Sequence, residues 1–396
     1  MKPSQMSRRI VLLIAVCAAV GALGFGVARS REPDFEGRPL RDWITDLNHA
    51  DTRVRDRAIG TLCAIGKPAV PSLSVGLRRA DSMWDAAMYW ARGRGPEWFQ
   101  RRCQGWVFSS QIRAVAALAL RRMGPDAAVA APELIRCLGD EDLSVARLSE
   151  YALCTIGAAA VPELSKAVAG SDKTRCEAAL RILSQLGSAA EGAVPAVRSV
   201  LRGTESRVQL RAAEALWRIL RDAETTTPVL LRLVESGDPL MQREALTVLV
   251  GIGPAALGAE RQLEELAHSP DHYVRIKAAE AIVAISGDAR AAIKAYQEAL
   301  RHTDNNIRWH AVVGLERLQS VARTILPSLI KATEDSDRYV RTAAVTLLGK
   351  MGRDAESALP ALRIAAKDTD SLVQSSAAES LWRIDPVRNP APRAID

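Results

Sequence analysis

The stretch DTRVRDRAIGTLCAIG, residues 51–66, shows the unit from which most of this chain is built. After an aspartate come Val54 and Arg55, and then Ala, Leu and Ile stand four, eight and eleven residues beyond the valine, with a glycine next. Apolar residues at these intervals lie on one face of an α-helix, and a glycine suits the left-handed residue that ends a helix. The stretch therefore predicts an amphipathic helix, which we call helix A.

The same pattern returns along the chain, every 33 residues from residue 208 onward. The apolar residue that corresponds to Val54 is found at Val208, Met241, Val274, Ile307, Val340 and Val373, and upstream at Ile112 and Val145. The same frame reaches Arg175, where the match is poorer because the residue is charged. A period of this length is typical of stacked-repeat proteins, because one short helical unit cannot bury its apolar face alone.

A proline stands thirteen residues before the next opening residue in six copies, at Pro132, Pro162, Pro195, Pro228, Pro327 and Pro360. Proline suits the first turn of a helix, where its missing N–H leaves no hydrogen bond unmade. Apolar residues follow at the second and sixth positions after the proline. We therefore predict a second helix in each copy, helix B, with the proline in its first turn.

Aspartates precede the predicted A helices at one position of the repeat: Asp51, Asp142, Asp172, Asp238, Asp271, Asp304, Asp337 and Asp370. A carboxylate there accepts hydrogen bonds from the first-turn N–H groups and meets the positive end of the helix dipole. We predict that these aspartates are helix caps.

The pattern Asp-x-x-Val-Arg-x-x-Ala-x-x-x-Leu-x-x-Ile-Gly, followed by Ala-Val-Pro-x-Leu, resembles the HEAT-repeat family in the short bacterial form also seen in phycobilin lyases. The resemblance covers about residues 40–385. It implies an all-α fold, an α-solenoid (superhelix) of about ten HEAT-like two-helix repeats, here preceded by an N-terminal apolar helix. Such solenoids serve as scaffolds, in transport and in a few enzymes, so the fold alone does not decide the function.

The resemblance also implies that the arginine after the valine pairs with acidic residues of neighbouring repeats. Arginine is present at Arg55, Arg113, Arg275, Arg308 and Arg341, and it is replaced at Ala146, Cys176, Gln209, Gln242 and Gln374. We therefore expect the ladder of ion pairs to be interrupted through the middle of the array.

An insertion at residues 79–109 breaks the repeat, because Val54 and Ile112 are 58 residues apart. It is rich in aromatic residues, including Trp84, Trp90, Trp98, Phe99 and Trp106, with arginines between them. The favoured interpretation is a lid over the open N-terminal end, because the ends of a solenoid need a cover. The other interpretation is a platform for a partner or ligand, or a contact with a membrane surface.

The N-terminus has a different composition. Residues 1–9 form a basic n-region, and residues 10–28 are uncharged and mostly apolar. This length is just adequate for a transmembrane helix and long for a signal peptide, so we favour an anchor over a cleaved signal. A lipid on Cys17 is a third, less favoured possibility. The charges around the segment place the repeats outside the cytoplasm, either membrane-anchored or, after cleavage, secreted or periplasmic.

Short polar segments flank the repeats. Residues 29–39 are predicted to be a linker, and residues 386–396, which contain three prolines, a flexible tail.

Catalytic and metal-binding residues are not predicted. Deoxyhypusine hydroxylase, a HEAT-like enzyme, takes its iron ligands from His-Glu pairs, and this sequence has no such pair. His268, His272 and His302 fall at turns of adjacent repeats, but no carboxylate pattern accompanies them. Most cysteines are expected to pack as small apolar side chains. The sequence does not decide whether Cys154 and Cys176 form a disulfide.

The net charge of +7 raises the question of nucleic-acid binding. In HEAT arrays helix B forms the concave surface, and the fourth residue after each proline or its equivalent samples it: Val75, Arg136, Lys166, Ser199, Arg232, Glu265, Glu298, Lys331 and Ile364. Acidic residues interrupt the basic ones, whereas a groove that follows phosphates is uniformly basic. We therefore do not expect nucleic-acid binding, and Arg136, Lys166 and Arg232 become candidates for a protein-binding surface.

These observations together predict a non-catalytic protein–protein interaction scaffold of the cell envelope. Its partners are unidentified proteins, with membrane attachment through residues 10–28, and neither a cofactor nor a small-molecule substrate is expected. The alternative is a HEAT-like enzyme or enzyme subunit, either phycobilin-lyase-like or metal-dependent.

Overall fold

A computed structural model describes residues 34–389 apart from residues 36, 48, 50, 82–108, 317 and 319–321. It begins with two strands of two residues each, β1 (Asp34–Phe35) and β2 (Arg38–Pro39). They pair antiparallel across Gly37, whose φ of 74° suits a tight turn. This small hairpin lies within the segment predicted as a linker.

The chain divides into two compact lobes, an N-terminal lobe of residues 1–160 and a C-terminal lobe of residues 161–396. The described α-helices of the N-terminal lobe are α1 (Leu40–Asp46), α2 (Thr52–Ile65), α3 (Val70–Leu77), α4 (Ser109–Met123), α5 (Ala131–Arg136) and α6 (Leu143–Ile156). The first half of the C-terminal lobe contains α7 (Val161–Val168), α8 (Lys173–Leu186), α9 (Val194–Leu201), α10 (Ser206–Leu220), α11 (Ala223–Val234), α12 (Pro239–Ile252) and α13 (Glu260–Leu266). The second half contains α14 (His272–Ser286), α15 (Arg290–Ala299), α16 (Asn305–Leu315), α17 (Ala322–Ala332), α18 (Arg338–Met351), α19 (Leu359–Ala365) and α20 (Ser371–Ile384).

From α2 onward the helices alternate as predicted: α2 and the even-numbered helices are A helices, and the odd-numbered helices from α3 are B helices. Within each lobe, helix A packs against helix A of the next repeat and against helix B. The prediction of an all-α fold built from stacked helix pairs is therefore confirmed. The predicted N-terminal apolar helix, residues 10–28, lies outside the described residues.

All eight predicted aspartate caps are confirmed, since each carboxylate accepts a hydrogen bond from a first-turn N–H of the following helix. Asp271, for example, accepts from the N–H groups of Tyr273 and Val274 at 2.8 and 3.0 Å. The glycine that follows an A helix has a positive φ, as at Gly66 with 68°. Three A helices end without a glycine: α10 is followed by Arg221 at φ 57°, and α16 and α20 are followed by Glu316 and Asp385 at φ −56° and −138°.

The proline prediction holds in four of its six copies. Pro132, Pro162, Pro195 and Pro360 are each the second residue of a B helix. Pro228 and Pro327 instead lie inside α11 and α17, which begin five residues earlier than predicted.

The early start of α11 has a local cause. Asp222 accepts from the N–H of Thr225 at 3.0 Å and so caps a helix start ahead of the proline. In most other copies this segment is a 3₁₀ turn that runs up to helix B, as at Gly187–Ala193.

Small and branched apolar residues fill the core of each lobe. In the C-terminal lobe one continuous apolar cluster runs from Ile276 to Ile384. Tyr296 of α15 is buried within it, and a Cβ added at Gly314 of α16 would overlap the tyrosine ring. A glycine is therefore required at position 314 for the two helices to approach.

The arginine after the valine ties successive turns together. Arg308 donates from Nε and Nη2 to Asp335 at 2.8 Å each, and from Nη1 to the carbonyl oxygens of His302 and Thr303 at 2.9 Å each. We call this arrangement the arginine clamp. Arg341 makes a second one, with Asp368 at 2.8 and 2.9 Å and the carbonyl oxygen of Asp335 at 2.8 Å.

The N-terminal lobe has a related arrangement, in which Arg113 pairs with Asp81 and Asp140 at 2.9 and 2.7 Å. Arg275 differs, since its acidic partner is Glu298, on helix B of its own repeat, at 2.9 Å. At Gln209 and Gln242 the ion pair is replaced by amide hydrogen bonds to carbonyl oxygens. The expected interruption in the middle of the array is thus present.

Candidate functional site

The predicted interaction residues fall into two groups. Trp84, Trp90, Trp98, Phe99 and Trp106 lie outside the described residues, so the choice between lid and platform stays a prediction. Arg136 of the N-terminal lobe and Lys166 and Arg232 of the C-terminal lobe are described, and all three are exposed.

These three basic residues differ in how they are paired. Arg136 donates from Nη2 to the carbonyl oxygen of Leu77 at 2.5 Å. Lys166 forms an ion pair with Glu163 at 2.6 Å, one helical turn away. Arg232 has no acidic partner among the described residues. Of the three, Arg232 is therefore the most available to a ligand.

Arg232 lines a groove between two successive B helices, α9 and α11. The groove has a volume of about 550 Å³ and is bordered by Arg198, Leu201, Arg202, Thr225, Val229 and Arg232. We call it the basic groove, since its charged side chains are three arginines. Arg198 and Arg202 were not predicted from the sequence, because only one position of each B helix was taken as a sample of this surface. Their spacing of four residues, which puts both on one helical face, was the available signal.

Similar depressions lie between later B helices of the C-terminal lobe. One between α15 and α17 has a volume of about 540 Å³, one between α17 and α19 about 400 Å³, and one between α13 and α15 about 200 Å³. Their linings are mixed in charge, as shown by Arg301, Lys331 and Glu334 in the first. The B helices of this lobe thus present a row of open grooves with charged rims.

One acid stands beside the basic groove. Asp222 lies 3.2 Å from Nη2 of Arg198 and also accepts from the hydroxyl of Thr225 at 2.8 Å. Burial opposes ionisation of this carboxyl, but hydrogen bonds from Thr225 and Arg198 hold the pKa of Asp222 below its ordinary value. Asp222 therefore stays ionised and neutralises Arg198, which leaves Arg202 and Arg232 without a counter-charge from the described residues.

The histidines that sequence analysis considered are only partly brought together. The rings of His272 and His302 pack edge-on with centroids 4.2 Å apart, whereas His268 lines the depression between α13 and α15. Burial, together with the charges of Arg275 and His302, lowers the pKa of His272. Within the part of the chain that the structure describes, no group of three or more His, Cys, Asp or Glu residues is placed to hold a metal ion.

The described cysteines are thiols in this structure. Cys137 and Cys176 are buried, and their Sγ atoms lie 3.6 and 3.4 Å from carbonyl oxygens, while Cys63 and Cys154 are half-buried. Burial raises the pKa of all four thiols, that of Cys154 to about 11. Thiols in such surroundings are weak nucleophiles at neutral pH, which fits their expected role as packing residues.

None of the described helices alone has both the length and the apolar character to cross a bilayer. Thr52–Ile65 and Lys67–Leu77, bent by 115° at their junction, reach that length and apolar character as a pair.

Comparison with known proteins supports the class of fold. Residues 293–382 match the family model for HEAT repeats. No curated protein matches the chain in sequence. Most of the described repeats outside residues 293–382 have the same helix pair and an aspartate cap, whereas α10 begins after Glu205, whose side chain makes no capping hydrogen bond. The resemblance of the chain to the HEAT-repeat family is therefore confirmed.

Several solved structures are similar to the chain. Yeast importin-β is 14% identical with a TM-score of 0.51, and the alignment covers 88% of this chain and 51% of importin-β. YibA of Escherichia coli is 18% identical with a TM-score of 0.44, covering 63% of this chain and 92% of YibA. The complex of CpcE and CpcF of phycocyanin lyase from Nostoc sp. is 22% identical with a TM-score of 0.32, covering 68% of this chain and 96% of that one. At such identities the similarity to importin-β concerns the fold.

Proposed function

We propose that this protein is a non-catalytic protein–protein interaction scaffold of the cell envelope, and that its partners bind on the B helices. HEAT-repeat folds are typical of interaction scaffolds. The observation that carries the proposal is the row of open grooves along the B helices of the C-terminal lobe. Grooves repeated along successive helices suit an extended protein segment, because such a segment contacts several repeats at once.

The chemistry of these grooves also suits a protein partner. The rims of the grooves between the later B helices carry both charges, which favours the mixed side chains of a polypeptide over a uniform polyanion. Exposed apolar side chains such as Ile364, at the groove between α17 and α19, add area that binding would bury. Contacts of this kind, charged at the rim and apolar in places, are found in protein interfaces.

Location in the cell envelope is proposed from the sequence of residues 1–28. In this proposal residues 10–28 anchor the chain in a membrane, or are removed as a signal, and the repeats work outside the cytoplasm. Alkaline carbonate extraction of membranes, with sequencing of the mature N-terminus, tests this part. A protein retained in the pellet that begins near Met1 indicates an anchor, whereas a soluble protein that begins at Arg29 indicates a cleaved signal. A soluble protein with an intact N-terminus rejects both.

Site-specific photo-crosslinking in cells tests the scaffold itself. A benzophenone amino acid at Ser199, exposed on α9, should yield discrete adducts with a partner protein, because its neighbour Arg198 lines the basic groove. The matched control is the same probe at Glu356, exposed in the 3₁₀ turn ahead of α19. Equal adducts at both positions, or none at either, would contradict the proposal. Bound iron or a pigment absorption band in the purified protein would instead support the HEAT-like enzyme.

A further inference from the structure

We propose that the basic groove between α9 and α11 binds an acidic segment of the partner protein, with carboxylates on Arg202 and Arg232. This inference rests on the proposed function, since it assumes a protein partner, and it adds the chemistry of the segment that is recognised.

The charge of the basic groove is unbalanced. Arg198 is paired with Asp222, but Arg202 at the end of α9 and Arg232 in the last turn of α11 have no acidic partner among the described residues. Both side chains are exposed and border the same depression. Two like charges on one groove repel each other, so a ligand that brings carboxylates between them relieves the repulsion.

The floor of the basic groove is apolar. Leu201 and Val229 line the groove and are 5% and 7% exposed, so each offers only an edge of its side chain at the bottom. Arginines above an apolar floor match a peptide in which acidic and apolar side chains alternate, because the apolar ones can reach the floor while the carboxylates stay at the rim.

The basic surface ends abruptly after α11. The next B helix, α13, carries Glu260, Glu264 and Glu265 against a single Arg261. Glu235, just after α11, accepts a hydrogen bond from Gln262 of α13 at 2.7 Å, so acidic groups begin directly beyond the groove. An acidic ligand is repelled there, and its binding is confined to the groove between α9 and α11.

This boundary also separates a peptide from other anionic ligands. A nucleic-acid backbone or an anionic membrane surface gains its affinity from many basic contacts over a long track. Here the basic surface consists of three arginines and ends at the acidic helix α13. A short acidic peptide fits this surface better than either polyanion.

Fluorescence anisotropy with the full-length protein tests the inference. The probe is a fluorescein-labelled peptide of alternating Glu and Leu, and the comparison probes are a Lys–Leu peptide of equal length, an oligo-dT strand and phosphatidylserine vesicles. We expect binding of the Glu–Leu peptide that weakens as salt is added, because the groove charges are exposed to solvent. Failure of this peptide to bind, or tighter binding of oligo-dT or vesicles, would overturn the inference.

Charge-reversal variants locate the binding. Arg202→Glu with Arg232→Glu should weaken peptide binding roughly tenfold, since it replaces two favourable charge pairs by two repulsive ones. The matched control is Arg353→Glu with Arg363→Glu, which makes the same change in net charge at exposed positions outside the groove. If both double variants weaken binding equally, the effect is general electrostatics and the groove is not the site.

Further variants guard against a folding artefact. Circular dichroism and the melting temperature establish that each variant is folded. If the reversal variant is not, Arg202→Gln with Arg232→Gln replaces it and should still weaken binding, whereas Arg202→Lys with Arg232→Lys should retain most of it. If the Arg202→Gln, Arg232→Gln variant binds the peptide as tightly as the wild type does, the inference is wrong.

The outcomes also separate this inference from the scaffold proposal. If adducts form at Ser199 but the peptide does not bind, the scaffold proposal is supported and the inference of an acidic segment is rejected. If peptide binding depends on the two arginines but no adducts form in cells, the groove is shown to bind acidic peptides and the scaffold proposal is rejected.

Discussion

Two regions of the C-terminal lobe solve the same packing problem differently. In the last repeats Arg308 and Arg341 join the turn before their helix to an aspartate in the next turn. In the middle repeats Gln209 donates to the carbonyl oxygens of Leu201 and Gly203 at 3.1 and 2.7 Å, and Gln242 donates to that of Val234 at 2.7 Å. The arginines and the glutamines both donate hydrogen bonds to carbonyl oxygens that precede their helix. These hydrogen bonds are therefore common to the two regions, and the last repeats add an ion pair to them.

The acidic partner changes together with the arginine. Arg308 and Arg341 pair with residues 27 positions later, Asp335 and Asp368. At the same distance from Gln209 and Gln242 the chain has serines, Ser236 and Ser269. The reason is electrostatic, because a largely buried guanidinium requires a counter-charge whereas a neutral amide does not.

The largest effect is expected when an arginine clamp is broken. Arg308→Ala leaves Asp335 largely buried without its partner and removes the donors to two carbonyl oxygens, so the free energy of unfolding should fall by about 3 kcal/mol. Urea unfolding measures the loss, and hydrogen exchange should accelerate around residues 300–340 first, because repeats contact only their neighbours. A loss below about 1 kcal/mol would mean that the clamp is an ordinary surface pair.

A clamp moved into the middle repeats would sharpen the comparison. Gln242→Arg combined with Ser269→Asp should recreate the contact, since Ser269 already accepts from the N–H of Asp271 at 3.2 Å as Asp335 does from that of Asp337 at 2.8 Å. In a double-mutant cycle, we expect the gain in the free energy of unfolding of the double variant to exceed the sum of the changes in the two single variants by about 1 to 2 kcal/mol. Additive effects would show that the two positions do not meet.

Removal of the neutral contact should cost less. Gln209→Ala deletes two hydrogen bonds to partly exposed carbonyl oxygens and leaves no charged group without its partner. We therefore expect the free energy of unfolding to fall by about 1 kcal/mol. The melting temperature, compared with that of Arg308→Ala, checks the order of the two effects. A Gln209→Ala variant less stable than Arg308→Ala would reverse our ranking of the two turns.

Acid should weaken the clamps more than the glutamine contacts, and mildly. Hydrogen bonds from Arg341 hold the pKa of Asp368 below its ordinary value in the folded protein. The contact therefore contributes its full stability above the unfolded pKa of about 4 and loses it as the pH falls through the folded pKa. Hydrogen exchange at neutral pH and at pH values below about 4, corrected for the intrinsic rate, should show faster opening around Asp368 than around Gln209. Equal acceleration at both would contradict an electrostatic origin.

The sequence alone predicted the parts of this structure that depend on neighbouring residues. The 33-residue period, the eight aspartate caps and the apolar faces of both helices follow from helical periodicity and capping. It failed where a local signal had a competitor, as at Pro228, where the cap at Asp222 starts α11 earlier than the proline suggests.

The candidate site was only partly predictable, because its residues are assembled by the stacking of repeats. Arg232 was identified from its place in the repeat, but the basic groove also needs Arg198 and Arg202 from the preceding repeat. The clamps likewise join residues 27 positions apart. Helix formation is governed by contacts within a few residues, so sequence patterns determine it. Grooves, ion pairs between turns and unpaired charges depend on how one helix pair lies against the next, and only the tertiary structure decides that.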